Sequence, residues 1–480
     1  MRRRLLAVAT ALFLFPAGHA AAADFTKVDT KVTMSDGVQI AVSYFQPTGT
    51  PPAAGWPGIM LLHGLGQTRN TSDFVNWSPN SMAAQYLAPE GYAVLTYDAR
   101  AHGESGGLFT LDGPRELADF RELLTWLTSG HPIDARHVGA YGASYGGGIV
   151  WKAAVEGFPL AAIVPVATWT DVYQALAPQD LVRAGILLGF AQDIPRDRYG
   201  PEETTLLADA LAERNMPALR AYAASRSTRP QLGAIRIPTF MLQGRRDFAF
   251  DANQAIAAYE RVRGPKRLYL GDFGHTPAEN PLAEFNYAAL EVRAWFDRFL
   301  KGIPNGIDKR PPVELAPDPW RQPTASFRKL PKARTLKFTF RARGTLTADG
   351  KVVRTTKRLS HVETFGTPLV GVQFSTGPAG YKHLVAVLSA LTPARQEIVV
   401  ADGGTDTSAA TNRAGRVTIR LQNEVTSIPR GSRLRVTLGA RSTVQNIKNL
   451  VYLIPVPDGS TATVRGFTLK LPVLRKPVSK

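Results

Sequence analysis

Residues 139–148 read GAYGASYGGG, so one serine, Ser144, stands among five glycines. Glycine weakens helices and strands and packs no core, so five of them around one polar residue need a local geometric reason. The flanks supply it. The run HVGAY (137–141) has the apolar character of a buried strand, and Ile149, Val150, Ala153 and Ala154 recur at helical spacing directly afterwards. A chain turning this sharply from strand to helix presses positions 142 and 146 against neighbouring strand and helix, where a side chain would collide. Such a unit commits the chain to alternating strands and helices, and therefore to a parallel sheet wrapped by helices.

The surrounding sequence agrees. WPGIMLLHG, GYAVLTYDAR, AAIVPVAT, IPTFMLQG and KRLYLGDFG read as further buried strands, and Leu117, Phe120, Leu123, Leu124 and Leu127 carry the helical period between two of them. VTMSDGVQIAVSYFQP places Ser35-Asp36-Gly37 between two alternating runs, which predicts an antiparallel hairpin at the sheet edge. A long insertion, residues 169–236, is predicted to form a helical cap over Ser144, with Trp169, Leu187, Leu188 and Phe190 as pocket or packing residues. Residues 301–323, rich in Pro and Gly and without either period, read as a linker between a catalytic domain (24–300) and a second domain (324–480). That second domain shows only short strands separated by turn residues, the pattern of an all-β sandwich. At 480 residues and 44% apolar composition, the chain can fill both cores.

The first 23 residues combine Arg2, Arg3 and Arg4 with an apolar run from Leu5 to Phe15 and a tail ending Ala21-Ala22-Ala23. This is the pattern of a secretory signal peptide, and the run is short of the ~20 residues that span a bilayer. The mature chain is expected to be exported, periplasmic or extracellular. It contains no cysteine, so neither disulfides nor Cys-ligated zinc contribute.

Strand, G-x-S-x-G, helix is a nucleophile elbow, which holds the serine hydroxyl clear at the carboxyl end of the sheet. A serine nucleophile needs a base, and the base needs an orienting acid. In this architecture they follow in the order acid, then histidine. Asp247 (in GRRDFAFD) and His275 (in GHTPAEN) each lie just past a predicted strand end. Asp251, expected to cap the next helix, is the other candidate acid, and Asp272 reads as a structural carboxylate. The oxyanion donors are expected to be the backbone amides of Tyr145 and of Leu65 in HGLG (63–66), with Gly66 the alternative to Leu65. His63 and His102 read as loop-shaping histidines. No cofactor and no metal is implied.

These motifs reach a family. LLHGLG, YDARAHGESGG, GASYGG, QGRRD and FGH resemble the α/β-hydrolase superfamily over residues 28–300. The opening VTMSDGVQIAVSYFQP, Tyr145 directly after the serine, and HVETFGTPLVGV with SIPRGSRLRVTL narrow the likeness. The chain is similar to the acyl-esterase group that includes cocaine esterase and the Xaa-Pro dipeptidyl-peptidases. The resemblance implies an α/β fold with a helical cap followed by a jelly-roll-like β-domain. It also implies serine hydrolysis of a small-molecule ester or a short Xaa-Pro peptide. Relatives of the cocaine-esterase type place a tyrosine hydroxyl in the oxyanion hole, whereas HGLG here points to two amides. A dipeptidyl-peptidase must hold the substrate ammonium, and Asp171, Asp180, Glu202 and Glu203 in the cap show no spacing that singles out a pair. Esterase therefore ranks above peptidase.

Residues 301–480 hold 30 Lys+Arg against 10 Asp+Glu, so the net charge of +18 belongs to the C-terminal part. Lys337, Arg341 and Arg343, and again Arg433 and Arg435, alternate along predicted strands. A solvated outer face accounts for them. As a binding face it lacks the interleaved aromatics of a single-strand nucleic-acid binder, which leaves an anionic cell-envelope polymer as the expected partner and an envelope-binding protein as a further reading.

Overall fold

The computed structural model describes residues 24–71, 77–408, 414–442 and 450–479, so the signal-peptide reading falls outside the described residues. Ten strands form one sheet among them: β1 (Phe25–Thr33), β2 (Gln39–Pro47), β3 (Trp56–Leu62), β4 (Ala93–Tyr97), β5 (Ile133–Ala143), β6 (Ala162–Val166), β7 (Thr239–Gly244), β8 (Lys266–Gly271), β9 (Val313–Leu315) and β10 (Ala325–Phe327). Their order is β1-β2-β4-β3-β5-β6-β7-β8-β9-β10. From β4 to β9 all neighbours run parallel, while β1 and β2 form the antiparallel edge hairpin read from Ser35-Asp36-Gly37. The parallel strands are buried almost end to end, as helices on both faces require.

The segment expected as a linker differs from that reading. Val313 and Leu315 are buried in the sheet beside β8, and Glu314 between them is met by Arg267 Nη2 at 2.9 Å. Three residues between prolines are too few to show a period, yet they extend the catalytic sheet as far as Phe327.

The cap is helical, with helices at Val172–Leu176, Ala184–Phe190, Pro201–Leu211 and Met216–Ser225. The first two are separate because Gln179 and Asp180 take positive φ (54° and 62°) beside Pro178. Leu188 faces solvent, so it belongs to no pocket.

Beyond residue 330 the strands are antiparallel. Ala333–Phe340, Ala462–Leu474, Leu369–Thr376 and Ala414–Arg420 make one sheet, and Val352–Thr355, Arg433–Gly439, His383–Leu391 and Glu397–Asp406 the other. A shared apolar core, Val370, Val372, Leu388, Val436 and Leu469 among it, lies between them. The first strand stops at Phe340, short of Arg341 and Arg343, and Arg435 pairs with Glu397 at 2.9 Å.

This sandwich is bound into the catalytic domain. Arg245 at the end of β7 is fully buried and pairs with equally buried Glu363 of the sandwich. Burial alone would push the Glu363 carboxyl up, but Arg245 and the Val478 and Ser479 amides hold it below its ordinary value. The cap is held from the same side, by Gly185 N–H to Val451 O (2.9 Å) and by Glu213 against Lys382 (2.7 Å) and His383.

Candidate active site

Ser144 joins β5 to the helix Tyr145–Val155 with φ 50° and ψ −114°, a strained conformation for a residue with a side chain. The turn leaves no room beside it. A Cβ on Gly142 would lie 2.2 Å from Gly146 O, and one on Gly146 would lie 2.5 Å from Leu62 Cβ at the end of β3. The glycines expected at these two positions are therefore demanded by contact with the helix and with the neighbouring strand. Ser144 N–H is anchored to Val166 O (2.8 Å), and Thr168 Oγ1 donates to Ser144 O (2.7 Å).

The loops after β7 and β8 bring the partners. Ser144 Oγ lies 3.0 Å from His275 Nε2, and His275 Nδ1 lies 2.8 Å from Asp247 Oδ2. Asp247 is fully buried. Its Oδ1 accepts the Ala249 and Phe250 amides (3.0 and 2.9 Å), and its Oδ2 also accepts the His275 amide (3.2 Å). A carboxylate held by three amides cannot rotate away, so it fixes a proton on Nδ1 and leaves Nε2 able to take the serine proton. Phe250 and Phe190 meet the imidazole edge-on at 5.2 and 6.0 Å.

Asp251 is not brought to His275. It occupies the N-cap position of the helix Ala252–Arg261, but its side chain accepts the Asn423 amide of the sandwich (2.7 Å) and Asn253 Nδ2 (3.0 Å) instead of capping. Asp272 has the structural place expected of it. Its Oδ1 accepts the Glu279 amide (3.1 Å), and its own amide donates to both oxygens of Glu284 (2.9 and 3.0 Å). Tyr269 also donates to Glu284 (2.6 Å), and Asn280 Oδ1 accepts the Gly274 amide (2.9 Å), so the loop carrying His275 is tied down at several points.

Burial pushes the Glu284 carboxyl up to about 8 and that of Asp272 up to about 6. For groups raised in the folded state, the stabilisation is complete below the unfolded-state value and is lost as pH rises through the folded one. The Tm of Glu284→Gln, which mimics the neutral acid, is accordingly expected to climb relative to the parent between pH 5 and about 8 and then to level. Thermal melts across that range check this, and a pH-independent difference would contradict it.

His63 and His102 shape the floor. Ala99 N–H donates to His63 Nε2 (2.9 Å), which leaves Nδ1 as the donor to Gly64 O (2.7 Å). His102 Nδ1 donates to Arg100 O (2.7 Å) and the ring stacks on Tyr145 at 5.3 Å. Burial pushes both imidazoles down, to about 4 and about 3, so both are neutral. The Tyr145 ring is buried between His102 and Phe109, and burial raises its phenol.

Ser144, His275, His63 and Leu65 line one open cleft of about 610 Å³. Leu65 and Tyr145, the expected oxyanion residues, together wall a smaller chamber beside Ser144, with Trp169 and Phe250. Gly66 takes φ 70° and packs against Asp193, where a Cβ would lie 2.5 Å from Asp193 Cβ. Among the described residues no three His, Cys, Asp or Glu side chains converge as metal ligands.

Sequence reasoning missed the sandwich's share of the site. Asp247 N–H donates to Glu424 Oε2 at 2.8 Å, and Gln422 Nε2 to Phe248 O at 2.9 Å. Arg183 of the cap, buried, donates to Ala249 O (3.1 Å) and Phe248 O on the same loop. The signal that existed was a cluster of polar residues, Gln422-Asn423-Glu424, placed between apolar strands.

The profile of the X-Pro dipeptidyl-peptidase family, S15, matches residues 36–277, a span containing Ser144, Asp247 and His275. The chain is 26% identical to the cocaine esterase of Rhodococcus sp. (strain MB1 Bresler) over 346 residues, 61% of this chain and 58% of that protein. It is 31% identical to the quorum-quenching protein AidA of Acinetobacter baumannii over 159 residues, 33% of this chain and 49% of that protein. The chain thus spans about half the length of these curated relatives. A CocE/NonD family hydrolase of Staphylococcus aureus shares the fold, with a TM-score of 0.73 at 16% identity and 94% of each chain covered.

Proposed function

Because the chain belongs to the X-Pro dipeptidyl-peptidase (S15) family, we propose that it is an exported serine hydrolase that cleaves carboxylic esters through an acyl-enzyme on Ser144. The observation that carries this reading is the unbroken relay from Ser144 Oγ to His275 (3.0 Å) to Asp247 (2.8 Å), opening on a cleft. His275 Nε2 takes the hydroxyl proton as Oγ adds to the ester carbonyl. Asp247 stabilises the imidazolium, and the amides of Tyr145 and Leu65 donate to the oxyanion. The imidazolium returns the proton to the departing alkoxide. A water then adds to the acyl-enzyme by the same relay, releasing the acid and freeing Ser144.

The helix Tyr145–Val155 begins at the serine, so its N-terminal dipole favours the developing negative charge. Export is supported by the leader composition of residues 1–23.

The family also contains peptidases, which need an anion for the substrate ammonium. Three of the cap carboxylates are already matched by arginines: Asp171 by Arg229 (3.5 Å), Asp180 by Arg220 (2.6 Å) and Glu203 by Arg226 (3.6 Å). An uncharged acyl group suits this cap better. Initial rates of the mature protein on p-nitrophenyl esters and on Xaa-Pro p-nitroanilides, with Ser144→Ala as the blank, test the reading. Ester turnover alone is the expected result. Comparable kcat/KM on the anilide would transfer the assignment to a peptidase.

A further inference from the structure

Resting on the esterase reading, we infer that the interior of the cap is an acyl-chain tunnel, and that the enzyme's substrates are esters of linear, unbranched acids of about six to eight carbons. Between the cap helices and Phe109 and Leu111 lies a partly open apolar cavity of about 140 Å³. Leu65, Leu111, Val172, Leu176 and Phe190 wall this cavity and also wall the chamber of about 30 Å³ that contains Ser144. The two spaces therefore adjoin along one apolar wall, and an acyl group on Ser144 Oγ would run from the second into the first. At its far side Leu206, Ala210 and Leu219 line the cavity.

Three features favour a built tunnel over loose packing. Its walls are almost wholly apolar side chains, so leaving it to water forgoes the burial that an acyl chain would supply. An apolar cavity of about 150 Å³ holds a six-carbon ring, which sets the size of occupant. The one carboxylate on the wall, Glu203, accepts the Tyr222 hydroxyl at 2.7 Å and faces Arg226, so it is already matched from within the protein. An ammonium or second carboxylate at the chain end would find no partner left for it there. The cap is also fixed to the sandwich through Gly185 and Glu213.

The test uses p-nitrophenyl esters of two, four, six, eight and twelve carbons. In parallel it uses fluorophosphonates with methyl, hexyl and dodecyl chains, which report on Ser144 without requiring ester turnover. Each added methylene up to about eight carbons is expected to raise kcat/KM and the inactivation rate about threefold to fourfold, with no further gain at twelve. Ala210→Phe, which fills the far end, is expected to reduce octanoate turnover at least about tenfold while acetate turnover holds. Leu206→Ala, which lengthens the space, is expected to move the optimum to longer chains, so the two variants shift the profile in opposite directions. Equal inactivation by all three fluorophosphonates overturns the tunnel. Chain-dependent inactivation without ester hydrolysis would leave the tunnel standing and overturn the esterase reading instead.

Discussion

Ser144→Ala is expected to lower kcat by about 10⁶ on the best ester while leaving the melting temperature unchanged, and Ser144→Gly to be as inactive but more stable than the parent. The first effect follows from the chemistry. Without Oγ there is no acyl-enzyme, and what remains is the oxyanion donors acting on a bound ester, worth roughly 10³–10⁴ over water. The second follows from the backbone. Ser144 sits at φ 50°, ψ −114°, a region that costs a residue with a Cβ about 1–3 kcal/mol. Alanine keeps that cost, whereas glycine sheds it, less the extra freedom glycine gives the unfolded chain, for a net gain on the order of 1 kcal/mol. Steady-state rates and chemical denaturation of the three proteins check both parts. Activity of Ser144→Ala within tenfold of the parent would remove Ser144 from the mechanism.

How much of this was legible in the sequence depends on how local each feature is. The elbow was legible because its constraint is local: Gly142 and Gly146 are needed for contacts made by the turn itself. His275 was legible because a reacting group in a parallel sheet sits past a strand end, and β8 is a strong apolar run. The choice between Asp247 and Asp251 was less legible, since both lie on one loop and only packing shows that Asp251 turns to Asn423. The part played by the sandwich could not be read at all. Glu424 lies 177 residues from Asp247, and no period or spacing links them. The strand Val313–Leu315 was hidden for a different reason, being short and bounded by prolines, with its buried Glu314 made tolerable by Arg267 from β8.

Asp247→Asn is expected to lower kcat by about 10⁴ with KM little changed, and Asp251→Asn to leave kcat nearly intact. The amide at position 247 would donate where the carboxylate accepts, so the imidazole would favour its other tautomer, with the proton on Nε2 facing the serine. Asp251 makes no contact with His275 among its hydrogen bonds; its loss acts on the seam with Asn423 and is read as stability. The seam brings a third carboxyl close. Glu424 is almost completely buried, and burial, together with Asp251 and Asp247 nearby, raises its carboxyl well above the ordinary range, which favours the neutral acid. A second full negative charge against Asp247 would compete for the same imidazolium and raise the cost of burying both. Glu424→Gln, which copies the neutral acid, is therefore expected to keep the parent's pH–rate profile. Glu424→Ala removes the acceptor of the Asp247 amide and is expected to lower kcat with little change in KM. A shift of the acid limb in Glu424→Gln would show that Glu424 is ionised, and that the anion orienting His275 is shared between the sandwich and the catalytic domain.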